Sequence, residues 1–499
     1  MTRTDHDGLD EDTRRFLAEP AKRMLIGADW VDADSSATLV VVDPATESAL
    51  ATVPDAGVTD VDRAVRAAAD AFRQDRWTGL VPAERERRLL RLADRLEAQA
   101  TELAHLIVLE NGKLLSAARR EVDGSIRYAR YAAGWATKIA GDTLDVSMAA
   151  PDTRFLAYTR REPVGVVAAV IPWNMPLSMA IWKIVPALSC GCTVVLKPSE
   201  ETPLTALRVG ALALEAGIPP GALNIVTGRG ETTGAALVAH PLVNKITFTG
   251  STAIGRAIGR VAMDRMARVS LELGGKSPVI VLADADVSRV PADVAQGIFY
   301  NQGQVCAAGS RLVVHRSRFD EVVEGVAARA KAMTIGPGLD PDAELGPLVS
   351  DTHRRRVLDL VEQGVADGAE ALTGGRAPVR VGYFVEPTVL TRTTPAMRVV
   401  REEVFGPVLV AMPFDDPEEA IAMANDSGYG LSASVYSQNL ATVHRLIPRL
   451  EVGTVFVNVP ARTDPNLPFG GVKGSGVGRE HGRSLIDLYT ELKSVVIAH

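Results

Sequence analysis

The sequence Val164-Gly165-Val166-Val167-Ala168-Ala169-Val170-Ile171 decides the fold class that we predict, because this run contains no charged or polar side chain. A β-strand that is covered on both faces has this pattern. Similar runs follow, separated by helical patterns: residues 193–196, 223–226, 245–248 and 269–272, with helices over 202–216 and 232–239 and from 251. The alternation predicts a parallel sheet with crossover helices, that is, a Rossmann-like α/β domain.

A second series of strands and helices begins at residues 278–282 and continues past 311–314 and 411–414. We interpret this series as a second α/β domain, and we place its boundary with the first domain near Gly274-Gly275. The sequence therefore predicts two large α/β domains in one chain.

The segment before the first strand is predicted to be polar at its start and helical afterwards. We interpret residues 1–20 as a mobile polar arm. An amphipathic helix is expected over 61–72, with Thr59 and Asp62 as a capping box, and a longer one over 82–110.

Composition excludes several classes of protein. The chain has 499 residues, a formal charge of −7 and three cysteines. A mildly acidic chain does not favour a nucleic-acid groove, and three cysteines cannot form a disulfide framework. The first residues lack the apolar core of a signal peptide, and no stretch is typical of a membrane span. We therefore expect a large cytoplasmic enzyme without nucleic-acid or membrane partners.

Candidate cofactor motifs follow the predicted strands, where open α/β sheets bind ligands. Gly250-Ser251 with Gly255 joins a strand to a helix, and helix N-termini bind phosphates; an ordinary turn is the alternative. In Lys197-Pro198-Ser199-Glu200, the acidic side chain could accept hydrogen bonds from a ribose, or belong to a plain surface loop. Gly228 lies in a glycine loop for which turn formation is the simpler explanation.

Cys306 is the candidate nucleophile. A lone cysteine is often a small buried hydrophobe, but Cys306 lies among the small, polar, turn-forming residues of 301–309. Cys190 and Cys192 lie in an apolar run, and we interpret them as core residues. No cluster of His and Cys has the spacing of metal ligands, so no metal site is predicted.

Two further polar residues stand at predicted strand ends. Glu272 lies between leucines, where a desolvated carboxylate could act as a general base or form a structural ion pair. Asn174 lies in the turn of residues 172–176, fixed by two prolines, and its amide could donate to a developing oxyanion; a merely rigid turn is the alternative.

Taken together, these motifs resemble the aldehyde dehydrogenase superfamily, in order and spacing, from about residue 24 to 495. Residues 402–407 and 467–476 match it as well. The resemblance implies that Cys306 attacks the aldehyde and that Asn174 and the Cys306 N–H hold the oxyanion. It also implies that Glu272 activates water to hydrolyse the thioester, and that Glu480 relays protons.

The resemblance further implies NAD as the cofactor, with NADP less favoured, and a tunnel for the substrate. The implied cofactor residues are Pro172, Trp173, Lys197, Ser199, Glu200, Gly228, Gly250, Ser251, Gly255, Leu273, Gly274, Glu403 and Phe405. The implied substrate residues are Met175, Trp182, Val305 and Phe469. Met175 stands where many relatives carry an aromatic residue, so the tunnel is expected to be broad.

The segments 133–141, 304–308 and 464–469 look most like the phenylacetaldehyde dehydrogenase branch of the superfamily. An apolar or aryl aldehyde, with phenylacetaldehyde first, is the substrate that this likeness implies. The alternatives are a CoA-acylating semialdehyde dehydrogenase, a non-catalytic binding or structural relative, and a cysteine hydrolase without a redox step.

The resemblance also divides the chain into parts and implies a homodimer or homotetramer. The implied parts are an N-terminal arm (1–20), an NAD-binding domain (21–142 and 163–274), a catalytic domain (275–480) and a small β oligomerisation element (143–162 and 481–499).

Overall fold

The computed structural model describes residues 8–148 and 152–499. Residues 1–7 of the expected arm and 149–151 of the expected oligomerisation element lie outside the described residues. The helices are α1 Glu11–Ala18, α2 Val58–Arg73, α3 Pro82–Ala98, α4 Ala100–Asn111, α5 Leu115–Ala133, α6 Pro176–Ser189, α7 Leu204–Glu215, α8 Ala235–Ala239, α9 Thr252–Asp264, α10 Val290–Phe299, α11 Phe319–Ala332, α12 Asp351–Ala366, α13 Arg398–Arg401, α14 Pro417–Asn425, α15 Leu440–Leu446 and α16 Leu485–Tyr489.

The strands form two large sheets, one small sheet and one hairpin. In chain order they are β1 Met24–Ile26, β2 Asp29–Val31, β3 Thr38–Val42, β4 Ala49–Pro54, β5 Thr143–Leu144, β6 Phe155–Pro163, β7 Val166–Val170, β8 Thr193–Lys197, β9 Leu223–Ile225, β10 Lys245–Thr249, β11 Arg268–Glu272, β12 Pro278–Val281, β13 Arg311–His315, β14 Glu370–Thr373, β15 Thr388–Thr391, β16 Val408–Phe414, β17 Ser432–Tyr436, β18 Thr454–Val457, β19 Gly476–Val477 and β20 Thr490–Ala498.

The first large sheet has the order β19-β11-β10-β7-β8-β9-β1-β2. Strands β11, β10, β7, β8 and β9 run parallel, while β19 and β1 pair antiparallel at either side of them. Alternate residues of β7 enter two different cores: Val167 and Ala169 one, Val166 and Ala168 the other. The sheet is therefore covered on both faces, as the run 164–171 predicts.

The second large sheet has the order β14-β15-β16-β13-β12-β17-β18 and is parallel apart from β14. Its faces are also buried in two cores, since Ile280 and Val313 enter one, and Val279 and Leu312 the other. The α/β class with two parallel sheets is confirmed.

The third sheet, β20-β6-β5, is antiparallel. Its long ladder joins β6 to β20, with Thr490 opposite Pro163 at one end and Ala498 opposite Phe155 at the other. Several of its apolar side chains are exposed: Leu144, Leu156, Leu492, Val496 and Ile497.

No helix among the described residues is long and apolar enough to cross a membrane.

The expectation of a mobile arm is wrong for residues 11–18, which form α1. Asp10 caps this helix by accepting from the N–H groups of Asp12 and Thr13. Leu17 is buried in the first core, and this contact anchors a segment whose overall composition is polar.

Two predictions about the early helices are also wrong. The single helix over 82–110 is two helices that meet at Gln99, a break that neither Gly nor Pro marks. Asp60, rather than Asp62, caps α2: its carboxylate accepts from the Gly57 N–H at 3.0 Å, while the N-cap residue Gly57 has no side chain to complete a capping box. Because Asp60 is also buried, its carboxylate is better placed than that of Asp62 to bind the backbone at the start of the helix.

Candidate active site

The candidate site forms where the carboxyl end of the first sheet meets the second. Asn174 follows β7, Glu272 ends β11, and Cys306 lies in the loop before β13. The loops are in direct contact: Asn174 Nδ2 donates to the Gln304 carbonyl oxygen at 2.9 Å. The structure thus brings an amide to the loop of the candidate thiol. No group of three or more potential metal ligands occurs in the described part of the chain.

Cys306 differs from the other two cysteines in exposure. Cys190 and Cys192 are buried in the first core, whereas Cys306 is partly exposed, and all three thiols are free. Burial of the sulfur, followed by the charges of Glu403 and Glu272, raises the pKa of the Cys306 thiol to about 12. The N–H groups of Ala307 and Cys306 oppose this rise. The thiol is therefore protonated in the resting protein.

Glu272 carries a buried carboxyl group that has no hydrogen-bond partner among the residues that the structure describes. Its side chain is 4% exposed, and neither oxygen is paired. Burial, followed by the charge of Glu480, raises the pKa of Glu272 well above its ordinary value. A Cβ at Gly470 would lie 2.7 Å from Glu272 Oε1, so this glycine leaves room for the carboxyl group. An unpaired, desolvated carboxyl is suited to general-base chemistry rather than to stability.

Glu480 forms a buried ion pair next to Glu272. Glu480 Oε1 binds the ammonium group of Lys183 on α6, and Glu480 Oε2 has no hydrogen-bond partner within residues 8–148 and 152–499. Lys183 is fully buried. A carboxylate with one free oxygen and a lysine partner could accept a proton from the neighbouring carboxyl group.

Trp182 and Phe469 form an apolar wall beside the thiol. Their ring centroids lie 6.2 Å apart, and both side chains belong to the small apolar cluster that includes Cys306. The His481 ring lies edge-on to Trp182, with centroids 4.1 Å apart. The structure thus places two of the four predicted substrate residues in one cluster with the thiol.

The other two predicted substrate residues pack elsewhere. Met175 packs partly against the first core, and its Sδ lies 3.6 Å from Lys113 Nζ. Val305 packs partly against a core of the second sheet. Met175 follows Asn174 in the chain and Val305 precedes Cys306, but neither residue belongs to the cluster around Trp182 and Phe469.

A charged pair lies at the carboxyl end of β8. Lys197 is 2% exposed, and its Nζ lies 3.2 Å from Glu200 Oε2. Burial alone would raise the pKa of Glu200, but the Lys197 ammonium and the Gly230 N–H outweigh burial, so this pKa is lowered. Glu200 is therefore ionised and partly open to solvent. Ser199 Oγ accepts from the Glu201 N–H, and Gly228 adopts φ 142° in the adjoining loop.

Helix α9 begins at the same edge of the sheet. Ser251 caps it by accepting from the Ile254 N–H, as the sequence predicts. A Cβ at Gly255 would lie 2.4 Å from Leu273 Cδ2, so the glycine permits the close approach of helix and sheet. The ring of Phe248 occupies the space beside Gly250, where a Cβ would lie 2.5 Å from it.

Glu403 and Phe405 lie in the segment that precedes β16 of the second sheet. Glu403 Oε1 accepts from the Gly275 N–H at 2.7 Å, and burial raises the pKa of Glu403 to about 7. A Cβ at Gly274 would lie 2.3 Å from Glu403 Oε2. Phe405 stacks edge-on against Trp173, which follows Pro172, with centroids 5.3 Å apart.

Sequence reasoning missed two groups at this site. His353 of α12 lies 5.1 Å from the Trp173 ring and binds the Phe405 carbonyl oxygen through Nε2 at 2.8 Å. Lys183 lies in the apolar run of α6, where a lone lysine between Trp182 and Ile184 is itself the signal that could have found it. Nothing in the sequence around His353 marks it.

Comparisons with known proteins agree with this geometry. A profile of the aldehyde dehydrogenase family matches residues 30–495. A phenylacetaldehyde dehydrogenase of Pseudomonas fluorescens is 54% identical over 481 residues, covering 96% of each chain. Human aldehyde dehydrogenase 1A1 is 44% identical over 95% of this chain and 94% of its own.

A solved structure of an aldehyde dehydrogenase from Bacillus cereus in complex with NAD+ superposes with a TM-score of 0.95. It is 45% identical, and the match covers 98% of this chain and 99% of that one. The site, the profile and the relatives lead to one conclusion: the chain belongs to the aldehyde dehydrogenase family.

Proposed function

We propose that this protein is an NAD-dependent dehydrogenase that oxidises an apolar or aryl aldehyde, phenylacetaldehyde first, to its carboxylic acid. One observation carries the proposal: Cys306, a partly exposed residue, shares a site with the amide of Asn174 and the unpaired buried carboxyl of Glu272. A nucleophile, an oxyanion donor and a base are the parts that acyl transfer requires.

Cys306 begins the reaction by attacking the carbonyl carbon. A sulfur–carbon bond forms, the π electrons move to the carbonyl oxygen, and the thiol proton passes to solvent water. The second N–H of the Asn174 amide and the Cys306 N–H hold the oxyanion. Loss of one such donor costs about 3 kcal/mol in other enzymes. The product of this step is a thiohemiacetal.

A hydride then leaves the same carbon, and a thioester remains on Cys306. NAD+, when bound, supplies the hydride acceptor. Glu272 removes a proton from water, the oxygen adds to the thioester carbonyl, and the carbon–sulfur bond breaks to release the acid. Glu480 with Lys183 passes the proton from Glu272 onward, because its free Oε2 can accept it.

The residues at the carboxyl edge of the first sheet fit the cofactor. Glu200 is ionised, Lys197 holds its carboxylate, and this carboxylate would accept hydrogen bonds from the ribose hydroxyls of a bound cofactor. The free N–H groups at the start of α9, beside Ser251, would hold the pyrophosphate. Gly274 leaves the space that Glu403 occupies, and Phe405 with Trp173 would border the nicotinamide ring.

Trp182 and Phe469 favour an aryl or apolar substrate, since they make an apolar wall next to the thiol. The 54% identity to a phenylacetaldehyde dehydrogenase supports phenylacetaldehyde as the first candidate. We further propose a cytoplasmic location, the domain division given above, and a homodimer or homotetramer joined through β20 and the β6 hairpin.

The test is a panel of aromatic, aliphatic and amino aldehydes with NAD+ or NADP+, followed by NADH absorbance and by identification of the acid. We expect the highest kcat/KM with phenylacetaldehyde and NAD+. Formation of acyl-CoA on addition of CoA, or absence of turnover with every aldehyde, would contradict the proposal.

A further inference from the structure

The turn that carries Asn174 is held by a buried lysine. Lys113 Nζ donates to the Asn174 carbonyl oxygen at 3.0 Å, and it also contacts the Met175 sulfur. Asn111 Nδ2 donates to the neighbouring Trp173 carbonyl oxygen at 3.0 Å. Two consecutive carbonyl groups of the turn are thus fixed from the end of α4.

Glu121 of α5 completes this arrangement by holding residues that follow Asn174 in the chain. Glu121 Oε2 binds the Lys113 ammonium, and both side chains are fully buried. Glu121 Oε1 accepts from the N–H groups of Leu177 and Ser178, at 3.0 and 3.1 Å. One ion pair therefore holds both the Asn174 carbonyl group and the backbone N–H groups of the third and fourth residues after it.

Asn301 links the same turn to the loop of the nucleophile. Its Nδ2 donates to the Asn174 carbonyl oxygen at 3.0 Å and to the Gln304 carbonyl oxygen at 3.3 Å. Asn174 Nδ2 donates to that same Gln304 oxygen. The Asn174 amide is thus tied to the chain that leads to Cys306.

The energetics favour a positioning role. A buried ion pair often stabilises a fold no better than apolar residues of the same size, because desolvation of the charges is costly. A displacement of about 1 Å in a reacting or stabilising group can reduce a rate about 100-fold. Rigid positioning of the oxyanion donor is therefore a role for these buried residues that a contribution to stability alone does not explain.

We propose that Lys113, Glu121 and Asn301, which we name the turn clamp, are positioning residues that fix the Asn174 amide where the oxyanion forms. The inference rests on the proposed function, in which Asn174 is the oxyanion donor.

Two reactions of Cys306 separate positioning from general damage. Acylation by p-nitrophenyl acetate passes through an oxyanion, whereas alkylation by iodoacetamide displaces iodide and does not. Both reactions depend equally on the accessible thiolate. The ratio of the acylation rate to the alkylation rate at Cys306 therefore reports on the oxyanion site, because a loss of accessible thiolate lowers both rates equally.

The variants are Lys113→Met, Glu121→Gln and Asn301→Gly, each made in the full-length protein. Gly suits position 301 because Asn301 has φ 49°, so this variant removes the amide with little backbone strain. We expect each to lower the ratio between about 10-fold and 100-fold. In an Asn174→Ala background, Glu121→Gln should have no further effect, because its target is already absent.

Glu110→Gln is the matched control. Glu110 is also fully buried and accepts from the first N–H groups of a helix, those of Leu204 and Thr205 at the start of α7. Its loss should leave the ratio within about twofold.

An unchanged ratio in the turn-clamp variants would overturn the inference, as would a further loss from Glu121→Gln in the Asn174→Ala background. An unchanged ratio in Asn174→Ala itself would instead contradict the oxyanion role in the proposed function. If Glu121→Gln does not fold, Asn301→Gly carries the test.

Discussion

At Cys306, burial and neighbouring negative charge both oppose ionisation. The pKa of the thiol is about 12, that of Glu403 is about 7, and that of Glu272 is raised well above its ordinary value. The ionisation of these groups is coupled, since negative charge on Glu403 or Glu272 raises the pKa of Cys306. The resting site therefore favours the neutral forms of the Cys306 thiol and of the Glu272 carboxyl group. The thiol proton leaves only as the sulfur–carbon bond forms.

The sequence predicts which residue types belong to this site, but not their ionisation. Glu272 between two leucines indicates burial, and the structure confirms it. The unpaired oxygens and the neighbouring Glu480 depend on contacts between residues distant in the chain, which no local pattern contains. The catalytic roles of Cys306, Asn174 and Glu272 remain predictions.

The raised pKa of Cys306 predicts how the free protein reacts with iodoacetamide. The thiolate is a small fraction of the thiol below the pKa of about 12, so the rate should rise about tenfold per pH unit from pH 7 to 10, without a plateau. Mass spectrometry should locate the label on Cys306, while the buried Cys190 and Cys192 stay unlabelled. A plateau below pH 9 would show a thiol of lower pKa.

Glu200→Gln should weaken the preference for NAD+ over NADP+. The variant keeps a hydrogen-bond acceptor for the ribose but removes the negative charge that repels a 2′-phosphate. We expect the ratio of the two kcat/KM values to fall about tenfold, which corresponds to about 1.4 kcal/mol. Glu201→Gln, next to it in the chain, serves as the control. A wild-type protein that uses both cofactors equally would exclude the role of Glu200.

At the level of elements, the apolar runs of the sequence predict the five parallel strands β7 to β11 of the first sheet within one or two residues. The run 164–171 contains β7, and 245–248 and 269–272 match β10 and β11. The errors occur where tertiary contacts decide. The polar segment of α1 is helical because Leu17 finds a core, and the helix over 82–110 breaks at Gln99 without a local signal.

Asp60→Ala should destabilise the protein by about 1–2 kcal/mol, because it removes the cap of α2. The buried Asp60 carboxylate accepts from the N–H groups of Gly57 and Asp34. Asp62→Ala, on the exposed side of the same helix, should change stability by about 0.5 kcal/mol or less. Urea denaturation of both variants measures the difference. Equal effects would contradict the assignment of the cap.

For the whole molecule, the exposed sheet β20-β6-β5 is the feature that a single chain leaves unexplained. Leu492 and Val496 are both more than half exposed, and they lie two strand repeats apart on one face of β20. Exposed apolar side chains in a sheet favour association with another copy of the chain. The resemblance, rather than the sequence pattern, implied both the β element in this region and its role in assembly.

Leu492→Glu combined with Val496→Glu should reduce the oligomer toward smaller species, since four or more buried charges would face each other in an assembled interface. Sedimentation velocity measures the change. Val379→Glu with Val381→Glu, two exposed positions in a loop, adds the same charge and should leave the assembly intact. An unaltered sedimentation coefficient in the β20 variant would contradict the assembly that we propose.

Hydrolysis of a Cys306 thioester with Glu272 as base is the central claim. Glu272→Gln keeps the size of the side chain but cannot take the proton from water. The most direct measurement is rapid mixing of this variant with phenylacetaldehyde and NAD+, with NADH absorbance and intact-protein mass recorded together.

We predict a burst of close to one NADH per site, a phenylacetyl group on Cys306, and steady turnover reduced about 100-fold or more. Turnover at the wild-type rate, or a burst without an acyl group on Cys306, would contradict the account.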